Sequence, residues 1–155
     1  MMAAGTLLDA YDALAERVSR RLPESAVLLL VRLALGGVFW QSGQTKVEPG
    51  TWFRLTDSTR ALFATEYAGV PLPPEIAATM ANAAEHILPV MLLLGLFTRL
   101  SALGLLGMTL VIQIFVYPEA WWSVHALWSA LALTLVARGG GLFALDATLV
   151  RVTRR

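Results

Sequence analysis

Leu7, Tyr11, Leu14, Val18 and Leu22 return at helical spacing, with Asp12, Glu16, Arg17 and Arg20 on other faces. This stripe predicts an amphipathic N-terminal helix over residues 1–23, ended by Pro23 and suited to a membrane interface. A solvated helical arm is the competing reading. Four longer apolar segments follow, at residues 25–42, 75–97, 100–117 and 121–137. Each approaches the ~20 residues that a ~30 Å hydrocarbon core requires. The pattern predicts an all-α fold: one integral membrane domain over residues 1–155, a four-helix transmembrane bundle closed by a basic tail at 138–155. The aromatic turn Tyr117–Trp122 (YPEAWW) belongs at one membrane surface, with Arg99 and Arg138 at the other.

The 47–74 connection carries Trp52, Phe53, Leu62 and Phe63, too apolar a set for a free linker. Thr56, Asp57 or Ser58 as N-cap and Gly69 as C-cap predict a short helix folded over the mouth of the bundle. With four spans, both termini and the Arg99 turn share a side. That side holds Arg17, Arg20, Arg21, Arg99, Arg138, Arg151, Arg154 and Arg155, against Lys46, Arg54 and Arg60 on the other. The imbalance predicts both termini in the cytoplasm, and the membrane is expected to be a bacterial-type inner membrane.

Composition supports the membrane reading. Hydrophobic residues make up 57% of the 155 and charged residues 15%, against roughly 25% charged in soluble domains. The net charge of +1 gives no case for nucleic acid, and the absence of cysteine excludes disulfides and thiolate metal sites within the chain. Asp9, Asp12 and Glu16 argue against a cleavable leader, so the chain is expected to keep its N-terminus. There is no phosphate-loop, dinucleotide-binding, zinc-protease or catalytic-serine signature.

Polar side chains within spans are therefore the candidate chemistry. They are Arg32 in the first span, Asn82, Glu85 and His86 in the second, Gln113 in the third and His125 in the fourth. If the spans are aligned about their centres, Arg32 and Glu85 are offset by about 5 Å along the axis, which predicts an ion pair. Its competing role is to fix helix register only. Trp40, Gln41, Gln44, Gln113 and His125 fall at one level and are expected to form a loop-side polar pocket for a carbonyl or small oxyanion, an interfacial belt being the alternative. Lys46 is placed at the water. Gly36 and Gly43 share the face of Arg32 and admit a close helix, with Gly95, Gly104 and Gly107 in the same role. Pro89 has no N–H to offer the Glu85 carbonyl. Glu85 and His86 diverge by about 100° on a helix, so no metal site is expected.

Three patterns resemble the DoxX family of small four-helix membrane proteins. Arg32, Gly36, Phe39, Gly43 and Lys46 follow its R-x3-G-x2-F-x3-G-x2-K. Glu85 followed by LLLGLFTRLSA (Leu92–Ala102) is similar to its glutamate, leucine run and LG-x-x-TR-x-x-A. GGGLFALD (Gly139–Asp146) is similar to GPGRLSLD, with Gly140 for proline, Leu142 for arginine and Ala144 for serine; GVPLP (Gly69–Pro73) fits the external loop. The likeness runs from Arg32 to Asp146.

The resemblance implies a membrane component of an electron-transfer assembly, since relatives are linked to thiosulfate oxidation with quinone as acceptor and to oxidant defence with soluble partners. It makes the chain a non-autonomous subunit of a quinone-dependent oxidoreductase, with no intrinsic cofactor, quinone as ligand, and a soluble or membrane redox partner or a second copy beside it in the bilayer. Glu85 and Arg32 would then be the catalytic pair, and Trp40, Gln44, Asn82, His86, Gln113 and His125 the ligand-binding set. The alternatives are a non-catalytic membrane anchor or scaffold for a soluble partner, and a small-molecule transporter.

Overall fold

The computed structural model describes residues 2–153, without the side chains of residues 2–7, 20, 21, 151 and 153. Arg154 and Arg155 of the expected tail, and the side chains of Leu7, Arg20, Arg21 and Arg151, lie outside the described residues. The described chain is helical: α1 (Met2–Arg21), α2 (Glu24–Gln44), α3 (Asp57–Thr65), α4 (Pro74–Leu94), α5 (Thr98–Phe115), α6 (Ala126–Arg138) and α7 (Leu145–Thr153). A 3₁₀ turn at Pro118–Ala120 and a π turn at Trp121–His125 lead into α6, making one span over Pro118–Arg138. Among the described residues the one strand-like contact is the antiparallel bridge of Val47 with Leu55.

The helices α2, α4, α5 and the Pro118–Arg138 span are each long and apolar enough to cross a membrane. They form a closed ring, with α2 touching α4 and α6, and α5 touching the same two. Leu28, Leu35, Phe39, Leu92, Ala102, Leu105, Ala132 and Leu135 fill the centre. Leu30, Leu33, Ile87, Leu103, Ile114, Leu127 and Leu133 point outward, as helices in a lipid bilayer require. Tyr11, Leu14, Val18 and Leu22 of the N-terminal stripe are also exposed.

The short helix over the loop side is present as α3. Thr56 is its N-cap, accepting from the Thr59 N–H, while Glu66 rather than Gly69 ends it. Leu55 and Phe63 pack on Ala77 and Ala78, covering the first turns of α4.

Close approach of α2 to α4 sets the register. A Cβ on Gly43 would fall 2.9 Å from His86 and 3.1 Å from Glu85, and one on Gly36 would fall 3.3 Å from Leu93. Gly104 gives similar room to Leu88, whereas Gly107 faces open space. The two helices are thus staggered: Glu85 stands level with the loop-side end of α2, and Arg32 with the far end of α4. Arg32 is eleven residues from Gly43, about 16 Å along the axis. The expected Arg32–Glu85 pair does not form, because the spans are not aligned about their centres.

Arg32, 1% exposed, instead gathers backbone carbonyls. It donates to Leu92 O (2.8 Å), Leu93 O (2.5 Å) and Gly140 O (3.1 Å). Two of these belong to the last turn of α4, where the helix dipole favours a cation and Leu92 O otherwise receives only the capping Gly95 N–H. Asp146 completes the clasp. Its carboxylate accepts from the Phe97 and Thr98 N–H groups at 2.7 and 2.8 Å, and its own N–H donates to Gly95 O. The start of α5, which lacks a local side-chain cap, is therefore capped from a position 48 residues away. Gly95 takes the left-handed conformation that ends α4, with a Cβ there only 2.5 Å from Ala144. Gly140 has no more room, since its Cβ would meet Ala144 at 2.5 Å and Thr98 at 2.6 Å.

Arg32→Leu leaves three carbonyls without this donor and is expected to cost about 4 kcal/mol. Thermal unfolding in detergent should fall accordingly and proteolysis near Gly140 should quicken. Unchanged melting and cleavage would contradict the clasp.

Candidate functional site

The ionisable group next to Glu85 is Lys46. Two residues past α2, its chain turns back into the bundle and is 7% exposed, against 2% for Glu85. Nζ lies 3.0 Å from Oε1 and 2.9 Å from Oε2 of Glu85. Its other donors meet Ser42 Oγ at 2.8 Å and Ser42 O at 3.3 Å, so all three ammonium protons are used. Ser42 Oγ in turn donates to Glu85 Oε1 at 3.1 Å. The Lys46 position expected at the water is thus corrected: a buried carboxylate level with the end of α2 needs a counter-charge, and Lys46 is the cation within reach.

This arrangement leaves one oxygen under-used. Glu85 Oε2 is fully buried and, although close to Nζ, receives no hydrogen bond of acceptable direction among the described residues. A carboxylate oxygen in that state can accept from a hydroxyl or a water.

Two cavities meet at Glu85. The first, about 210 Å³, runs between the α3–α4 connection, α4 and α5; Lys46, Glu85 and Tyr67 supply its polar groups in an otherwise apolar wall. Leu72, Met80 and Val111 on its wall are exposed on the bundle surface, Met80 by 57%, so its mouth opens toward lipid. The second, about 260 Å³, lies toward the Tyr117–Ala120 turn and is bordered by Ser42, Glu85, Tyr67, Tyr117 and His125. Tyr67 and Ile112 border both cavities. The Tyr67 ring is held by stacking on Phe63, centroids 4.3 Å apart. Burial, then the negative charge of Glu85, push its phenol up to about 12, so it is a neutral hydroxyl near pH 7. Tyr117 donates to the Glu66 carboxylate, which together with burial raises its phenol as well.

The other candidates separate into two clusters instead of one pocket. His86 accepts Gln44 Nε2 at its Nε2 (3.0 Å) and donates from Nδ1 to Asn82 O (2.9 Å), fixing a neutral Nδ1–H tautomer. Trp40 meets its ring edge-on and Trp52 stacks on it. Asn82 Nδ2 ties down Trp52 O at 3.0 Å, pinning the loop onto α4. These partners occupy His86 completely, so Trp40, Gln44, Asn82 and His86 form a fastening beside Glu85. Gln113 and His125 belong to the second cluster: His125 Nδ1 donates to Gln113 Oε1 at 2.7 Å, and Gln113 Nε2 donates to Pro118 O at 2.7 Å. Gln41 is exposed. No group of three metal-ligating side chains occurs among the described residues.

The residues that sequence reasoning missed are Lys46 as the counter-ion, Ser42 and Tyr67. Lys46 and Ser42 did carry a signal, since they lie one turn apart on the Gly43 side of α2. Tyr67 reaches the site through tertiary folding of the loop alone.

The fold and site define a four-helix integral membrane protein with a buried Lys–Glu pair at the loop-side end of its first span. The DoxX family model matches residues 27–118, and the chain belongs to that family. It is 28% identical over 141 residues to a Haemophilus influenzae protein described as uncharacterized, covering 81% of this chain and 84% of that one. No solved structure matches.

Lys46→Met leaves the Glu85 charge buried without its partner and is expected to destabilise by about 3–5 kcal/mol. Adding Glu85→Leu should restore most of this loss, as read by thermal unfolding in lipid nanodiscs. Additive losses in the double variant would argue against a coupled pair.

Proposed function

We propose that the chain is the membrane subunit of a quinone-linked redox system, contributing a head-group pocket and a proton-binding carboxylate. The observation that carries this reading is Glu85, buried, paired with Lys46 and bordering a lipid-facing apolar cavity, with no directed donor to its Oε2. An apolar cavity of about 150 Å³ accommodates benzene, so about 210 Å³ suits one substituted ring. The site suits a ring hydroxyl better than a ring carbonyl. Oε2 is ready to accept, whereas Lys46 must give up its 3.3 Å bond to Ser42 O before it can donate elsewhere.

In this reading Glu85 is the proton-accepting catalytic residue, Lys46 holds its charge state, and Arg32 acts through the fold. His86 and Asn82 position the α4 face, and His125 borders the proton side. Electrons are exchanged with a soluble or membrane redox partner, in a bacterial inner membrane with both termini cytoplasmic. The exposed apolar stripe of α1 favours a second reading, a scaffold that holds a soluble partner at the terminal face.

Purified protein in nanodiscs, free of partners, is expected to bind a short-chain ubiquinone saturably. Trp52→Ala should retain binding and Glu85→Gln should weaken it by roughly tenfold or more. No saturable binding by the folded wild-type protein would favour the scaffold.

A further inference from the structure

The two cavities at Glu85 differ in chemistry. The wall of the first, away from Lys46, Glu85 and Tyr67, is made of Phe63, alanine, valine, leucine, isoleucine and methionine side chains, and its mouth is on the lipid-facing surface. The second has Ser42, Glu85, Tyr67, Tyr117 and His125 along an otherwise apolar border, and ends at the Tyr117–Ala120 turn, where Tyr117 meets the exposed Glu66. Lipid-soluble molecules favour the first. Water favours the second, because ordered water needs two to four polar partners, and five polar or ionisable side chains border its volume of about 260 Å³.

We propose that the second cavity is a hydrated vestibule through which the Glu85 carboxylate exchanges protons with the loop-side aqueous phase, separate from the apolar cavity. The exchange is one proton moving between water and a Glu85 oxygen, with only O–H bonds made and broken and no electron moved. The inference rests on the proposed ligand reading only in assigning the apolar cavity to a lipophilic molecule.

The groups around the carboxylate fit this division. Lys46 and Ser42 approach it from the end of α2, with all the ammonium protons engaged. Tyr67, from the loop, stands between the cavities as a neutral hydroxyl. From the α5–α6 side come Tyr117 and His125, each with Glu119 as a charged neighbour. Gln113 holds the His125 Nδ1 proton, leaving Nε2 as the basic nitrogen of a ring that borders the vestibule. His86, next to Glu85 on α4, is engaged at both nitrogens by Gln44 and Asn82 and takes no part.

Because the chain has no cysteine, single thiols report each cavity in the full-length protein in nanodiscs. Ser42 borders only the second cavity and Ala84 only the first. Ser42→Cys should react with a small hydrophilic methanethiosulfonate roughly tenfold faster than Ala84→Cys, while Ala84→Cys reacts with a lipophilic maleimide. Adding Ala120→Trp should slow the Ser42→Cys reaction and leave that of Ala84→Cys unchanged. Ala120→Trp alone should also slow, by roughly tenfold, the infrared carboxyl band that appears on acidification and is missing in Glu85→Gln. Should Ala120→Trp fail to fold, Val124→Phe fills the same wall. An unreactive Ser42→Cys, equal hydrophilic reaction at both positions, or a filled vestibule that leaves the rates unchanged would overturn the proposal. If the thiol and infrared results hold but ubiquinone does not bind, the vestibule stands and the ligand reading alone falls.

Discussion

The close contact of α2 with α4 at Gly36 and Gly43 is the constraint on which the rest of the bundle depends. In a bilayer no water is at hand to satisfy stray polar groups, so a cation on one helix must find its acceptors on another. With the glycines seated against Leu93 and against Glu85–His86, the axial positions of both cations on this side of α2 are fixed. Arg32 falls at the frayed carbonyl end of α4, and Lys46 comes within reach of the carboxylate. A shift of one helical turn would break both sets of contacts, so neither cation can be optimised without the other. The planar, many-donor guanidinium suits several carbonyls at once, while the compact ammonium suits a carboxylate and a hydroxyl.

The clasp at the terminal side and the site at the loop side are the two ends of this one register. Asp146 and Arg32 close the α4–α5 turn and the Gly140 segment into a single unit. At the other end, α3 and the Trp52 loop cover the first turns of α4 and hold the cavity walls. Hence Glu85, although mid-way along its own helix, is a loop-side residue. Its surroundings come from a connection, not from the four spans alone, and this puts aqueous and lipid-facing paths within reach of one carboxylate.

Much of this was legible in the sequence, and the missing part has a physical origin. Apolar runs and their aromatic or arginine ends locate the spans to within a few residues, because bilayer thickness dictates helix length. Glycine spacing identifies the face of α2 that another helix approaches. Periodicity does not encode axial stagger, so centring each run paired Arg32 with Glu85 and left Lys46 in the water. The same gap merged two polar clusters into one pocket, since residues level on paper belong to different helix faces. The long-range cap by Asp146 and the placing of Tyr67 between two cavities depend on where loops land. Local sequence patterns do not specify that.

The distinction between a redox subunit and a scaffold turns on what a buried ionic pair is for. A pair kept only for helix register gains most when every lone pair and proton is satisfied, because unsatisfied polar groups are costly in a low dielectric. Lys46 meets that standard. Glu85 does not, since Oε2, although 2.9 Å from Lys46 Nζ, is buried without a directed donor in a residue that borders both cavities. In a scaffold this residue of unmet hydrogen bonding would weaken the bundle with no compensating gain, and a second hydroxyl beside Ser42 would remove it. In a site that receives a hydroxyl from one side and exchanges its proton on the other, the vacant acceptor is the functional part. That asymmetry within one ion pair supports the proposed reading, while Arg32, whose hydrogen bonds all go to backbone carbonyls, belongs to the architecture that holds the site.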